Sequence, residues 1–231
     1  MNKVNCLLCG NELGYKNEHI KVVCEFCKKE YDSNVKCIKG HYVCDKCHSL
    51  PAYELIHTFC INSESQDPME IAVTLMKNPA IKMHGPEHHF LVPAVLVSAY
   101  YNFKNDFNEK EKKIELAQKR AKNILGGFCG YYGSCGAAIG IGIFISLITN
   151  SNPLSKESWK LSNLVTAKSL KKIAKAGGPR CCKRNTFLAL ESASEFLVKH
   201  FKVDLPTNKE ILCEFNSFNK ECIQKKCPFY D

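Results

Sequence analysis

The residues with the greatest chemical potential in this chain are its cysteines, 15 in 231 residues. Two residues separate Cys6 from Cys9, and after a further fourteen residues Cys24 and Cys27 repeat the gap. Such a gap makes a tight knuckle that aims both sulfurs at one ion, and two knuckles complete a tetrahedron. Cys37, His41, Cys44 and Cys47 supply a second set of four ligands. Two structural zinc ions are expected, with iron in a rubredoxin-like site as the rival for the first set, because thiolates alone do not separate these metals. His48, directly after Cys47, is an alternative to His41.

The ligand order permits two pairings. In-line pairing puts Cys6, Cys9, Cys24 and Cys27 on one ion. A cross-braced arrangement joins the first knuckle to Cys37 and His41, as in RING-type domains. Gly10 after the first knuckle and Val22-Val23 before the second favour the in-line zinc ribbon. Either way, metal replaces the hydrophobic core that about fifty residues cannot build.

Seven more cysteines lie beyond Cys60, at places where glycine or proline interrupts the chain. Cys181 and Cys182 follow Gly177-Gly178-Pro179-Arg180 and precede Lys183-Arg184. With Pro179 in the first helical turn, both thiols would sit at the positive end of a helix dipole among cationic side chains. That setting lowers a thiol's pKa and suits ligation or redox chemistry. Cys129 and Cys135 are set among glycines ahead of another helix start, where backbone can approach a bound group and N–H donors face an anion. Gly140 and Gly142 serve close helix packing, since no strand precedes them as a dinucleotide fingerprint requires.

Cys213, Cys222 and Cys227-Pro228 close the sequence. Cysteine followed by proline is frequent at iron–sulfur ligands, and three cysteines need one more, for which Cys181 or Cys182 is the natural donor. The spacing is not the compact ferredoxin run, so a zinc site or a thiol–disulfide relay stays open beside a cluster. His84, Glu87 and His88 fall on one helical face at i, i+3 and i+4 if their turn is helical, which suits a metal or an acid–base pair. The zinc-protease order HExxH is absent.

The elements that position these groups are mainly helical. Asp67-Pro68 caps and opens a helix through Met76. Further helices are expected over Glu87–Tyr101, kinked or restarted at Pro93, and over Lys110–Leu125, ended by Gly126-Gly127. Gly136–Thr149, Ser155–Ser162, Thr166–Ala176 and a long helix from Pro179 to about Phe201 follow. Thr207 and Glu210 form a capping box before the short tail. The predicted fold is mainly α: a zinc-ribbon or treble-clef-like module over residues 1–60, then a helical cysteine- and histidine-rich bundle over residues 61–231.

Composition is that of a folded protein, 45% hydrophobic and 24% charged. The longest apolar stretch, Gly136–Thr149, falls short of the roughly 20 residues a bilayer crossing needs. No secretory signal opens the sequence, and unpaired cysteines without one point to a reducing, cytoplasmic setting and no membrane. The formal charge of +9 drops to roughly +6 once two metal sites hold their ligands as thiolates. Lysine runs at Lys110–Lys122 and Lys168–Lys175 read as solvated helix faces, so nucleic acid is not favoured as a partner.

Gly40 to His48, His84 to His89, Cys129 to Gly136, Gly177 to Arg184 and the cysteine tail together resemble an uncharacterised cysteine-rich domain family. That family occurs in anaerobic bacteria and archaea, stand-alone or attached to radical-SAM proteins. The resemblance implies a helical domain of nearly the whole chain and a radical-SAM or redox partner. Cys135-Gly136-Ala137-Ala138 followed by Gly140 is similar, over a much shorter stretch, to redox proteins of the C-GCAxxG-C-C family, which implies a redox or cluster role by analogy.

The leading functional expectation is metallocofactor or thiol-redox chemistry. Cys181 and Cys182 would be core ligands or nucleophiles, beside Cys129, Cys135, Cys213, Cys222 and Cys227, and His84 and His88 would be ligands or proton carriers. A zinc-dependent binding module for nucleic acid or protein, with structural cysteines, is the second reading. A methyl- or sulfur-transferring enzyme is the third.

Overall fold

The computed structural model describes residues 6, 8, 9, 11–44, 47, 50–207 and 211–230. Gly10, Asp45, Lys46, His48 and Glu210, which bear on the readings above, lie outside them, so the His48 alternative and the capping box at Thr207 are not described. Two strands, β1 (Leu13–Val23) and β2 (Glu30–Cys37), form an antiparallel hairpin. The helices then follow in order: α1 (Ala52–Asn62), α2 (Pro68–Met76), α3 (Glu87–Lys104), α4 (Phe107–Ala121), α5 (Phe128–Tyr131), α6 (Gly136–Ile148), α7 (Glu157–Ala176) and α8 (Cys182–Phe201). Short 3₁₀ turns at Asn216–Phe218 and Gln224–Lys226 shape the tail.

The bundle is organised around α3. Phe90, Leu91, Val92, Ala94, Val95, Leu96, Val97 and Ala99 are all buried, and a helix apolar on every side must be surrounded. α1, α2, α4, α6 and α8 all pack on it. The helix runs through Pro93 without restarting. Gly140 makes room for that ring: a Cβ there would lie 2.8 Å from Pro93 Cδ. On the other face of α6, a Cβ at Gly142 would collide with the Thr166 side chain of α7. These glycines are packing devices, as their spacing suggested.

Local punctuation works as expected at α2, where Asp67 Oδ1 accepts hydrogen bonds from the backbone N–H groups of Met69 (2.8 Å) and Glu70 (3.3 Å). It misleads at three places. α1 was not anticipated. The two short helices expected around Ser162 and Thr166 are one, because nothing between them breaks a helix and Val165 is buried. α8 begins at Cys182, with Cys181 as its N-cap, instead of at Pro179.

The hairpin is joined to the bundle by shared apolar contact. Phe26 packs on Phe59 of α1 with ring centroids 5.1 Å apart, and Cys24, Cys44 and Cys47 belong to the same buried cluster as the α1 and α3 side chains. The boundary expected at residue 60 falls inside α1. Among the described residues no helix is long and apolar enough to cross a membrane.

Candidate metal centres

The hairpin decides which ligands meet. β2 returns antiparallel to β1, so its last residue, Cys37, pairs with Leu13, the first residue of β1. Cys37 therefore arrives beside the first knuckle, while Cys24 and Cys27 are carried away on the loop between the strands. Cys37, His41, Cys6 and Cys9 place their ligand atoms within 4.8 Å of one another, and Cys24, Cys27, Cys44 and Cys47 do the same. The pairing is cross-braced. This corrects the in-line expectation, which considered knuckle spacing and could not include strand register.

Both sets have the dimensions of a single-ion site. Metal–sulfur bonds of zinc length imply ligand–ligand edges of about 3.8 Å in a tetrahedron. Cys6 Sγ and His41 Nδ1 are 3.7 Å apart, Cys9 and Cys37 Sγ 3.5 Å, and Cys27 and Cys44 Sγ 4.0 Å. Donors around them suit thiolates: Asn11 Nδ2 to Cys9 (3.3 Å), Lys39 N–H to Cys37 (3.4 Å) and Cys44 N–H to Cys24 (3.4 Å). Tyr31, whose hydroxyl is 3.7 Å from Cys27 Sγ, was not anticipated as a ligand-orienting group.

Crowded thiols cannot all ionise unaided. Burial pushes Cys6 up to about 11. Against burial, the backbone and side-chain N–H groups of Asn11 draw Cys9 down to about 6. The second set divides in the same way, with Cys27 drawn to about 7 and Cys24 raised by burial. A bound cation resolves this conflict, and each set could hold one metal ion.

The later cysteines do not form one group. Cys181 lines a small apolar cavity of about 20 Å³ with Cys213, Cys222, Cys227, Phe187 and Phe229. The tail is held there by the hydrogen bond from Cys213 N–H to Phe229 O (2.7 Å) and by Phe229 packing on Phe187 at 5.2 Å. Among the described residues only the two amino-terminal sets bring three or more ligand atoms within 4.8 Å, so the four pocket sulfurs stand farther apart than ligands of one ion. Cys182 faces elsewhere. It accepts a hydrogen bond from the backbone of Gly85, and Cys135 and Cys129 are near enough for their charges to act on it.

The Gly177–Arg184 stretch anchors this region and does not activate its thiols. Cys181 Sγ accepts the Arg184 N–H (3.4 Å), while the Arg184 guanidinium donates to Gly177 O (2.6 Å) and Pro179 O (3.1 Å). Lys183 is buried, donates to Met76 O (2.9 Å) and Ile81 O (3.1 Å), and lies 4.5 Å from the centre of the Phe215 ring. Its ammonium falls to about 8 through burial, although the Cys181, Cys182 and Cys213 thiols pull the other way. Burial raises both adjacent thiols, Cys182 to about 11, outweighing the helix terminus and neighbouring cations. The expectation of depressed thiol pKa values is corrected accordingly.

The histidines also separate. Because α3 starts at Glu87, His84 lies outside the helix and shares no face with His88. His88 is buried, accepts from Thr186 Oγ1 at Nδ1 (3.1 Å) and donates from Nε2 to Lys82 O (3.1 Å). With both nitrogens engaged and burial holding it neutral at about 3, it offers neither a ligand atom nor a proton. His88 bridges α3 and α8 through its hydrogen bond with Thr186. His84 Nε2 lies 3.2 Å from Asn219 Oδ1 and 3.1 Å from Glu221 Oε2. Asn219 in turn donates to Cys181 Sγ at 3.7 Å. His84 thus reaches the pocket through Asn219, a residue that no motif marked.

A family model described as a family of unknown function (DUF5714) matches residues 56–230. The chain belongs to this family. The DUF5714 match agrees with the uncharacterised family expected from the motifs. It begins within α1 and takes in His84 and all seven later cysteines, while the eight amino-terminal ligands precede it. No curated protein and no solved structure matches the chain.

Proposed function

We propose that the protein is a redox metalloprotein in which two structural zinc ions build the amino-terminal module and an iron–sulfur cluster occupies the DUF5714 pocket. Cys181, Cys213, Cys222 and Cys227 are the cluster ligands in this reading. The observation that carries it is the convergence of these four cysteines on one apolar pocket. Four cysteines are the usual ligand complement of a multinuclear cluster. The donors already in place favour an anionic cluster: the Arg184 N–H and the Asn219 amide reach Cys181, and buried Lys183 stands behind it.

A small pocket lined by Phe187, Ile223 and Phe229 suits electron storage or transfer more than chemistry on a large substrate, since burial and hydrogen bonds to sulfur set a cluster's potential. Such a protein calls for an electron-exchanging partner, for which a radical-SAM or other redox protein is a fitting class, and for a reducing cytoplasm. It does not call for nucleic acid. The residues 1–60 module would act in stability or partner docking.

Anaerobic purification followed by iron, zinc and acid-labile sulfide analysis tests the reading. Iron and sulfide with broad visible absorbance are expected, and Cys181→Ser should lose them while retaining both zinc ions. A protein holding zinc alone, unchanged in Cys181→Ser, would remove the cluster from the account.

A further inference from the structure

Cys181 and Cys182 are adjacent, yet their thiols leave the start of α8 in different directions. Cys181 turns back as the N-cap and lines the tail pocket. Cys182, in the first helical turn, faces the Gly85 backbone and the cysteines around α5 and α6. Asn185 marks the same direction: three residues on from Cys182 and therefore on its side of α8, it donates from Nδ2 to Cys135 Sγ at 3.4 Å. Cys129, one residue into α5, is near enough for its charge to act on Cys182.

Two helix starts meet here. Cys135 is the N-cap position of α6 and makes no side-chain capping bond. The first N–H bonded within that helix is that of Ile139, to Cys135 O at 3.1 Å, so the preceding N–H groups lack helical partners. The N-terminus of α8 adds its own positive end, and these termini favour an anionic group. Unlike the tail pocket, this side is open: Tyr131 is 87% and Tyr132 73% exposed, and Gly130 and Gly133, which flank them, are exposed too.

We propose that Cys129, Cys135 and Cys182 hold a second iron–sulfur cluster through three thiolates, leaving one iron position open to a small anionic ligand from solvent. The tail cluster has its full complement of four protein thiolates, and the second does not. One peptide bond, between Cys181 and Cys182, links the two ligand sets. The inference rests on the proposed tail cluster for its electron supply but not for its ligands. A metal with an unfilled position is the arrangement that binds and transforms substrate, whereas a filled shell is structural or electron-transferring.

The test uses the full chain, purified anaerobically and reconstituted with iron and sulfide. Wild type should carry two clusters' worth of iron and sulfide, and each of Cys129→Ser, Cys182→Ser and Cys181→Ser should lose one of them. When reduced, wild type should give an electron paramagnetic resonance spectrum broadened by two neighbouring spins, and each single variant a simple one. Cyanide, as a small anionic probe of open iron, should shift the spectrum of Cys181→Ser and leave that of Cys129→Ser unmoved. Cys129 is partly exposed on a short turn, so its substitution reports on the site without disturbing the core. If Cys129→Ser and Cys182→Ser keep full wild-type iron while Cys181→Ser loses its share, the second site is overturned and the tail cluster stands. If Cys181→Ser loses nothing and Cys129→Ser does, the tail cluster fails and the open site keeps its ligands. Absence of sulfide from every form overturns both.

Discussion

The hairpin module and the tail pocket both draw cysteines from distant parts of the chain, but from opposite starting points. In the module the ligands are packed at single-ion spacing, and little other than Val22 and Phe26 is buried between them. Bringing such ligands together is unfavourable without a cation, so in the proposed reading metal binding and folding of the module are one event. In the tail pocket the scaffold exists first. α3 and α8 are buried along most of their lengths, and Cys181 is fixed by helix capping before any metal is considered. The same residue type thus serves as a substitute for a core in one region and as a fitting on a finished core in the other.

That contrast breaks most visibly under loss of one hairpin ligand. Structural zinc contributes on the order of 10 kcal/mol of apparent binding free energy in small domains. Cys24→Ser should therefore cost several kcal/mol locally and abolish amide protection across Leu13–Cys37, while α3 amides remain protected in hydrogen exchange. Protection that persisted in the hairpin would mean that its contact with α1 holds it without metal.

The helical region should respond instead to pH through His88. Its folded pKa of about 3 lies below the ordinary 6.5, so the fold favours the neutral ring. Its contribution is complete above pH 6.5 and is lost as pH falls towards 3, because the unfolded chain takes up the proton first. The slope is about 1.4 kcal/mol per pH unit within that window. Denaturation curves at successive pH values should show a shallower decline for His88→Gln than for wild type. Parallel curves would remove the linkage. Smaller again is Gly140→Ala, whose added methyl meets Pro93. A loss of about 1–3 kcal/mol with unchanged metal content is expected, and a neutral result would show that α6 shifts freely over α3.

The smallest effect separates positioning from ligation. Asn219→Ala removes the amide donor to Cys181 and unlinks His84 from the pocket. Cluster content should stay constant while its midpoint potential falls, by on the order of tens of millivolts, since a hydrogen bond to ligand sulfur favours the reduced cluster. Loss of the cluster would instead make Asn219 part of the scaffold that the ligands require.

The sequence was informative wherever structure is local. Knuckle spacing picked out all eight amino-terminal residues that the fold brings together, and Asp67-Pro68 marked the start of α2. It was silent where partners come from afar. The pairing of the two metal sets depends on the register of Leu13 with Cys37, and no knuckle encodes that. The division of Cys181 from Cys182 depends on which element each thiol faces, and His88 looks like a ligand until Thr186 and the Lys82 carbonyl occupy it. Charges near Cys181 and Cys182 pointed to low pKa values because burial, which decides the sign, is a property of the packed helix.

The central claim is that single-ion and multinuclear sites coexist in one chain, and X-ray absorption at the zinc and iron edges of one anaerobic sample addresses it directly. The account predicts zinc surrounded by sulfur with a minor nitrogen contribution from His41, and iron surrounded by sulfur with short iron–iron scattering. Iron without iron neighbours, or zinc as the sole metal with the tail thiols unligated, would contradict it.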